Sequence, residues 1–168
     1  MNFTIRPFEK TDAESFSKYA DNEKVASFMT NGFPNPYTLA DAVDFIEMAM
    51  EGEPTHIFCI EINGEACGGI GLHHQQDIHA KNMELGYWLA EPFWGNGVIT
   101  SAIKQMVDYA FKTFAITRVY ARPFGTNKGS QRALEKAGFT LEARLEKTLY
   151  KNSEFIDELI YSIRKQNH

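Results

Sequence analysis

Cysteine is nearly absent: the chain holds two, Cys59 and Cys67, on what read as the two strands of one hairpin. That excludes a disulfide scaffold, and a reduced pair in a cytoplasmic protein is expected in place of a disulfide or half a zinc site. No apolar run approaches a membrane span. The opening Met1-Asn2-Phe3-Thr4-Ile5-Arg6-Pro7 lacks the basic region and apolar stretch of a secretory signal. The cytoplasm is therefore the expected location, with no membrane partner. There is no basic run either, and an acidic total without one argues against a nucleic-acid binder. Low-complexity bias, repeats and linkers are missing as well. With 43% hydrophobic, 23% charged and 13% aromatic residues, the 168-residue chain reads as a single folded domain, residues 1–168. A chain of that length buries about two thirds of its unfolded surface.

What is present is a segregated charge. The 22 acidic side chains outnumber the 17 basic ones for a net charge of -5. Residues 1–100 hold 15 acids and 5 bases, whereas residues 101–168 hold 7 acids and 12 bases. Such a split reports on ligands only once a site is located.

Hydrophobic periodicity orders the chain as β-α-α-β-β-β-α-β-α-β-β, which predicts an α/β (α+β) fold with a mixed, mostly antiparallel central sheet flanked by helices. Phe3 and Ile5 begin a strand, and Ala13, Phe16 and Ala20 mark a helix after it. A short helical piece near Val25 runs into a loop at residues 31–36 rich in Pro and Gly. Thr38 with Asp41 predicts a capped helix whose buried stripe is Leu39, Val43, Ile46 and Met50, with Asp44, Glu47 and Glu51 on a solvated flank. Asn63-Gly64 is a hairpin turn between strands 56–62 and 66–74, and residues 81–89 form the next strand. The connector between them carries His73, His74 and His79, whose spacing matches no fixed zinc motif, so an exposed polar loop is expected and no metal. A long helix from Gly97, a strand at 118–122, a helix from Asn127 to Gly138 and a final hairpin turning at Asn152-Ser153 complete the chain.

The segment richest in chemistry is Glu84-Leu85-Gly86-Tyr87-Trp88-Leu89-Ala90-Glu91-Pro92-Phe93-Trp94-Gly95-Asn96-Gly97-Val98-Ile99-Thr100. A strand enters a tight glycine loop that opens onto a long helix, so backbone N–H groups and the positive helix end converge on one point, a geometry that binds phosphate. There is neither the Lys and Ser/Thr of a nucleotide P-loop nor a full dinucleotide fingerprint.

With Asn127-x-x-Ser130 and Glu135-Lys136-Ala137-Gly138-Phe139 following in order, the chain resembles the GNAT superfamily of acetyl-CoA-dependent N-acetyltransferases, and within it the branch that acetylates ribosomal-protein N-termini. The resemblance implies a GNAT-like fold over essentially the whole chain. It implies that the coenzyme A pyrophosphate lies on the N–H groups of Trp94, Gly95, Asn96, Gly97, Val98, Ile99 and Thr100. The pantetheine arm would run beside Trp88, Leu89 and Ala90, with the Leu89 N–H donating to the thioester carbonyl. Asn127 would hold the pantetheine amides from the other side, although a simple helix cap also explains it. Glu84 is the implied base, against an alternative as a solvated edge carboxylate, and Ser130 the implied donor to the departing thiolate, against an alternative as an ordinary helix-end serine. Lys128 and Arg132 are candidates for the 3'-phosphate. The resemblance also allows a homodimer, which no residue pattern here reports.

Three positions depart from the family pattern. Leu134 stands where many members carry a tyrosine acid, Ile99 where a small residue is usual, and Ser101 where many relatives of this branch have Glu. The expected function is acetyl transfer to a primary amine, a protein N-terminus before a small molecule; a coenzyme A sensor without turnover is the alternative. The charge split then predicts a positive phosphate end and a negative acceptor end.

Overall fold

Asn63 at φ 53° and Gly64 at φ 78° take the left-handed conformations that a two-residue hairpin turn demands. In the structure, a computed structural model describing residues 1–166, they join β2 (Ile57–Ile62) to β3 (Glu65–His74). Asn152 (φ 50°) and Ser153 (φ 63°) do the same between β6 (Thr140–Lys151) and β7 (Glu154–Arg164). The other strands are β1 (Thr4–Pro7), β4 (Asn82–Leu89) and β5 (Arg118–Ala121). The helices are α1 (Ala13–Ala20), α2 (Glu23–Ala26), α3 (Leu39–Met50), α4 (Val98–Thr113) and α5 (Lys128–Lys136). The seven-stranded sheet has the order β1-β2-β3-β4-β5-β7-β6. Its β4–β5 pair is parallel, while β1–β2, β2–β3, β5–β7 and β6–β7 are antiparallel. The expected mixed, mostly antiparallel architecture is thus present, with α2 a single turn. No helix among the described residues is long and apolar enough to cross a membrane.

The chain forms two compact units, residues 1–71 with 87–98, and residues 72–86 with 99 onward. The first is built on aromatic packing. Phe16 stacks on Phe45 at 5.2 Å and meets Phe8 at 5.3 Å and Trp88 at 5.0 Å edge-on. Here α3 corrects the expected stripe: Leu39, Val43 and Met50 are exposed, and the buried face is Ala42, Ile46 and Ala49. Ile46 is buried as expected, while the rest of the stripe lies one position off. Small residues at 42 and 49 let the helix approach the ring cluster closely, which outweighs the greater hydrophobicity of its neighbours. The Thr38–Asp41 capping box forms as expected, and Asp44, Glu47 and Glu51 are exposed. Arg6 donates to buried Asp12 at 2.7 and 2.9 Å and also bonds Glu61, tying β1 to the start of α1.

In the second unit, Met83 and Leu85 of β4, Ile103 and Met106 of α4, Val119 of β5, Leu134 of α5 and Leu159 of β7 are buried. Helix α5 ends as its sequence predicts, with Gly138 at φ 97° and the Phe139 N–H reaching back to the Leu134 carbonyl at 3.0 Å. The acid surplus follows the units: the first carries 13 acids and 4 bases, the second 9 acids and 13 bases. Both cysteines are buried thiols, and burial pushes Cys59 to about 12 and Cys67 to about 11.

Candidate active site

In the first unit, β4 delivers Trp88, Leu89 and Ala90, all buried, against β3 at its closest point. A Cβ on Gly68 would lie 2.4 Å from the Trp88 carbonyl oxygen and 3.2 Å from Leu89 Cα, so only glycine permits this approach. The Ala90 N–H donates to the Cys67 carbonyl at 2.8 Å. The Leu89 carbonyl accepts the Trp94 indole N–H at 2.7 Å, folding the chain back through a 3-10 turn, Glu91–Phe93. That turn is an addition to the expected element order. Glu91 anchors it to the start of α2 by accepting from Asn22 Nδ2 at 3.1 Å and Lys24 Nζ at 2.9 Å.

The glycine loop follows. Gly95 (φ 79°) and Gly97 (φ 75°) have open space where a Cβ would stand, so conformation rather than crowding calls for glycine there. Between them Asn96 donates through Nδ2 to the Phe93 and Trp94 carbonyls at 3.1 and 3.2 Å. Helix α4 begins at Val98 with no acid in its first turn. Its terminal N–H groups and positive dipole end are not countered by a nearby carboxylate of the helix itself, which suits an anionic ligand.

In the second unit, Ile99 and Thr100 are half-buried on that first turn. Asn127 caps α5, its Oδ1 accepting the Ser130 N–H at 3.1 Å, so the cap explanation holds. The segment before it is pinned twice. Gly125 N–H donates to Asp157 O at 2.7 Å in an approach where a Cβ would come 2.9 Å from Asp157 Cβ. Buried Gln131 of α5 donates to the Phe124 and Gly125 carbonyls, both at 3.1 Å. Lys128 and Arg132 are exposed, one turn apart.

Glu84 pairs with Tyr120 across the β4–β5 ladder and is half-buried. Desolvation raises its pKa, Arg122 lowers it and Glu158 raises it, in that order of size. Arg122 is itself ion-paired to Glu158 at 2.6 Å. Tyr120, Arg122 and Glu158 were missed in the sequence. The alternation Arg118-x-Tyr120-x-Arg122 was the available signal, but Glu158 lies 36 positions from Arg122. The histidine connector brings no metal group: among the described residues no cluster of three His, Cys, Asp or Glu side chains is placed to hold an ion. His73 lies beside Gly86, and His74 meets the Phe114 ring at 5.2 Å.

A strand end locked to its neighbour, a glycine loop opening an acid-free helix and a downstream Asn-capped helix stand at the positions that carry the resemblance to an acyltransferase, and residues 2–140 match the family model described as "Acetyltransferase (GNAT) domain". The chain belongs to the GNAT acetyltransferase family. Among its relatives, the uncharacterized N-acetyltransferase YoaA of Bacillus subtilis (strain 168) is 30% identical over 166 residues, 96% of this chain and 92% of YoaA. The putative ribosomal N-acetyltransferase YdaF of the same organism is 35% identical over 104 residues, 62% of this chain, which spans 56% of that relative. The structure of the microcin C7 self-immunity acetyltransferase MccE, in complex with acetyl-CoA and AMP, superposes with a TM-score of 0.81 at 26% identity, over 97% of this chain and 92% of that one.

Proposed function

We propose that the whole chain acts as an acetyl-CoA-dependent N-acetyltransferase that moves acetyl to a primary amine by direct attack in a ternary complex, a protein N-terminal amine before a small cationic amine. The observation that carries this reading is the loop Gly95-Asn96-Gly97, whose two glycines are held in left-handed conformations directly before an acid-free helix start and one short turn after Trp88–Ala90. Those N–H groups, continuing to Thr100, fit a pyrophosphate that carries no counter-ion from the loop. Lys128 and Arg132 supply cations for the 3'-phosphate. Trp88, Leu89 and Ala90 are assigned to the pantetheine arm, and the Leu89 N–H to the thioester oxygen, where negative charge grows as the amine attacks. Asn127 uses Oδ1 for its cap, and its Nδ2 is the donor assigned to pantetheine.

The attacking amine must be neutral. A lysine-type ammonium has a pKa of about 10.4, whereas an α-amine lies near about 7.7–8.0 and is already substantially neutral at pH 7.5. Glu84, whose pKa burial raises, is assigned as the base that takes the amine's proton, directly or through a water. The easier deprotonation of the α-amine, together with the likeness to YdaF, ranks the protein N-terminus first. The surplus of 13 acids over 4 bases in the first unit favours a cationic acceptor of either kind. Ser130, in the first turn of α5, is assigned as proton donor to the leaving thiolate.

Incubation with 1 mM acetyl-CoA should raise the melting temperature, and peptides with free N-termini should release thiol faster than polyamines. No thermal shift sinks the reading. Binding without thiol release across both acceptor sets would leave a coenzyme A sensor.

A further inference from the structure

The turn that leads into the glycine loop is closed on itself. Phe93 N–H donates to the Ala90 carbonyl at 3.0 Å and Trp94 N–H to the Glu91 carbonyl at 3.1 Å, while the Trp94 indole and the Asn96 amide reach back to the Leu89, Phe93 and Trp94 carbonyls. Those bonds fix the shape of residues 89–96 but not where the segment stands. Its place is set from outside by two polar links, the Ala90 N–H on the Cys67 carbonyl and the Glu91 carboxylate on the start of α2. The Phe93 and Trp94 rings also meet Tyr19 and Phe28, at 6.0 and 6.4 Å between centroids, contacts with a wider range of allowed geometry than a hydrogen bond. The two partners of Glu91 differ in kind. Lys24 is an exposed ammonium, and an exposed ion pair contributes little by itself. Asn22 is half-buried and uses both ends of its amide: Oδ1 accepts the Lys24 and Val25 N–H groups at 2.9 and 3.1 Å, and Nδ2 donates to Glu91 Oε1 at 3.1 Å.

We propose that Asn22, acting through Glu91, is a positioning residue for the cofactor loop, coupling the order of α2 to the occupancy of Gly95-Asn96-Gly97. The inference rests on the reading of that loop as the acetyl-CoA site. Helix α2 has four residues, far below the length of about 12–15 at which a helix becomes even marginal in water, so it depends on its cap and on the burial of Val25 and Ala26. One amide therefore starts the helix and holds the turn. Gly95 follows directly on Trp94, which ends that turn, and nothing lies within 4 Å of where a Cβ would stand on Gly95 or Gly97. With no packing at those two positions, the loop takes its place from the turn before it and the helix after it. Its N–H groups stabilise an anion only where they converge on it, so a displaced turn weakens the site without removing any group from it.

The test uses the full-length protein, with acetyl-CoA affinity from calorimetric titration, Tm, and amide hydrogen exchange in α2. Asn22→Ser keeps a capping oxygen but is too short to reach Glu91, and Asn22→Asp keeps the cap and sets a carboxylate against that of Glu91. Both should raise the Kd for acetyl-CoA by about 5- to 10-fold, the loss expected for a hydrogen bond to a charged group. Combining Asn22→Asp with Glu91→Gln reverses the bond, the new amide donating to the new carboxylate, and should restore Kd to within about 3-fold of wild type. Asp21→Ala is the control: it removes the 3.0 Å bond to the Tyr37 N–H from the neighbouring residue, and should lower Tm while leaving Kd within about 2-fold of wild type. Acetyl-CoA should slow exchange of the Ala26 and Ser27 amides, which bond the Asn22 and Glu23 carbonyls, in wild type but not in Asn22→Ser. An unchanged Kd in both Asn22 variants, a loss matched by Asp21→Ala, or no recovery in the double variant overturns the proposal while the cofactor reading stands. Failure of the wild type to bind acetyl-CoA overturns the cofactor reading, and the proposal with it.

Discussion

Gly68→Ala tests whether the close approach of β3 and β4 builds the site. The added Cβ would lie 2.4 Å from the Trp88 carbonyl and 3.2 Å from Leu89 Cα, and these are backbone atoms that no rotamer can move aside. The strand end must retreat. Forced overpacking costs about 1–3 kcal/mol. For a protein of this size each kcal/mol lowers Tm by about 2–4 °C, so a fall of about 2–12 °C is expected. The retreat also displaces the Trp88–Ala90 backbone assigned to pantetheine, and a misplacement of about 1 Å costs on the order of 100-fold in rate. Gly69→Ala, one residue along the same strand, is the matched control. Its Cβ would meet only Phe8 at 3.6 Å and Phe16 and Phe58 at 3.8 Å, ordinary contacts. Differential scanning calorimetry with and without acetyl-CoA, and kcat/KM for acetyl-CoA, read both consequences. Equal effects at positions 68 and 69, or an unchanged kcat/KM for acetyl-CoA in Gly68→Ala, would refute the reasoning.

Three further outcomes follow from single interactions. Trp94→Phe removes the 2.7 Å bond to the Leu89 carbonyl while keeping an aromatic ring, and should raise the acetyl-CoA KM by about 2- to 10-fold, seen in initial-rate kinetics. Asn127→Asp keeps an oxygen for the Ser130 N–H but loses the amide donor, so it should weaken coenzyme A binding in calorimetric titration without the stability loss of about 1 kcal/mol expected for Asn127→Ala. Asp12 is pushed up by burial, but Arg6 and the Glu9 N–H outweigh this and hold it below the usual aspartate range. Its contribution is therefore present above the ordinary aspartate pKa and lost as pH falls through the folded value. Urea unfolding followed from about pH 5 down to about pH 2 should accordingly show a steeper stability loss in wild type than in Asp12→Asn.

Much of the architecture was legible because it depends on local backbone chemistry. Asn63-Gly64, Asn152-Ser153, Thr38 with Asp41, and Gly138 each satisfy a conformation or an end group within a few residues, and each stands where the pattern put it. The phase of α3 was not legible, because the choice between Val43 and Ala42 depends on how near the Phe16 and Phe45 rings come. The 3-10 turn at Glu91–Phe93 escaped for the same reason, since Asn22, Lys24 and Leu89 hold it from elsewhere in the chain.

The sequence by itself determined the element order, the turns, the helix caps and the glycine loop, and with the spacing of Asn127 and Ser130 it determined the family. These are properties of consecutive residues, where φ preference and the demand of unsatisfied N–H groups act over a few ångströms of chain. Only the tertiary structure decided which glycines are indispensable for packing. Gly68 and Gly125 are crowded by distant backbone, while Gly95 and Gly97 stand open and owe their place to conformation alone. It also decided the electrical surroundings of Glu84, because Arg122 and Glu158 are brought to it by strand pairing across 36 positions of sequence, and charge acts through space rather than along the chain.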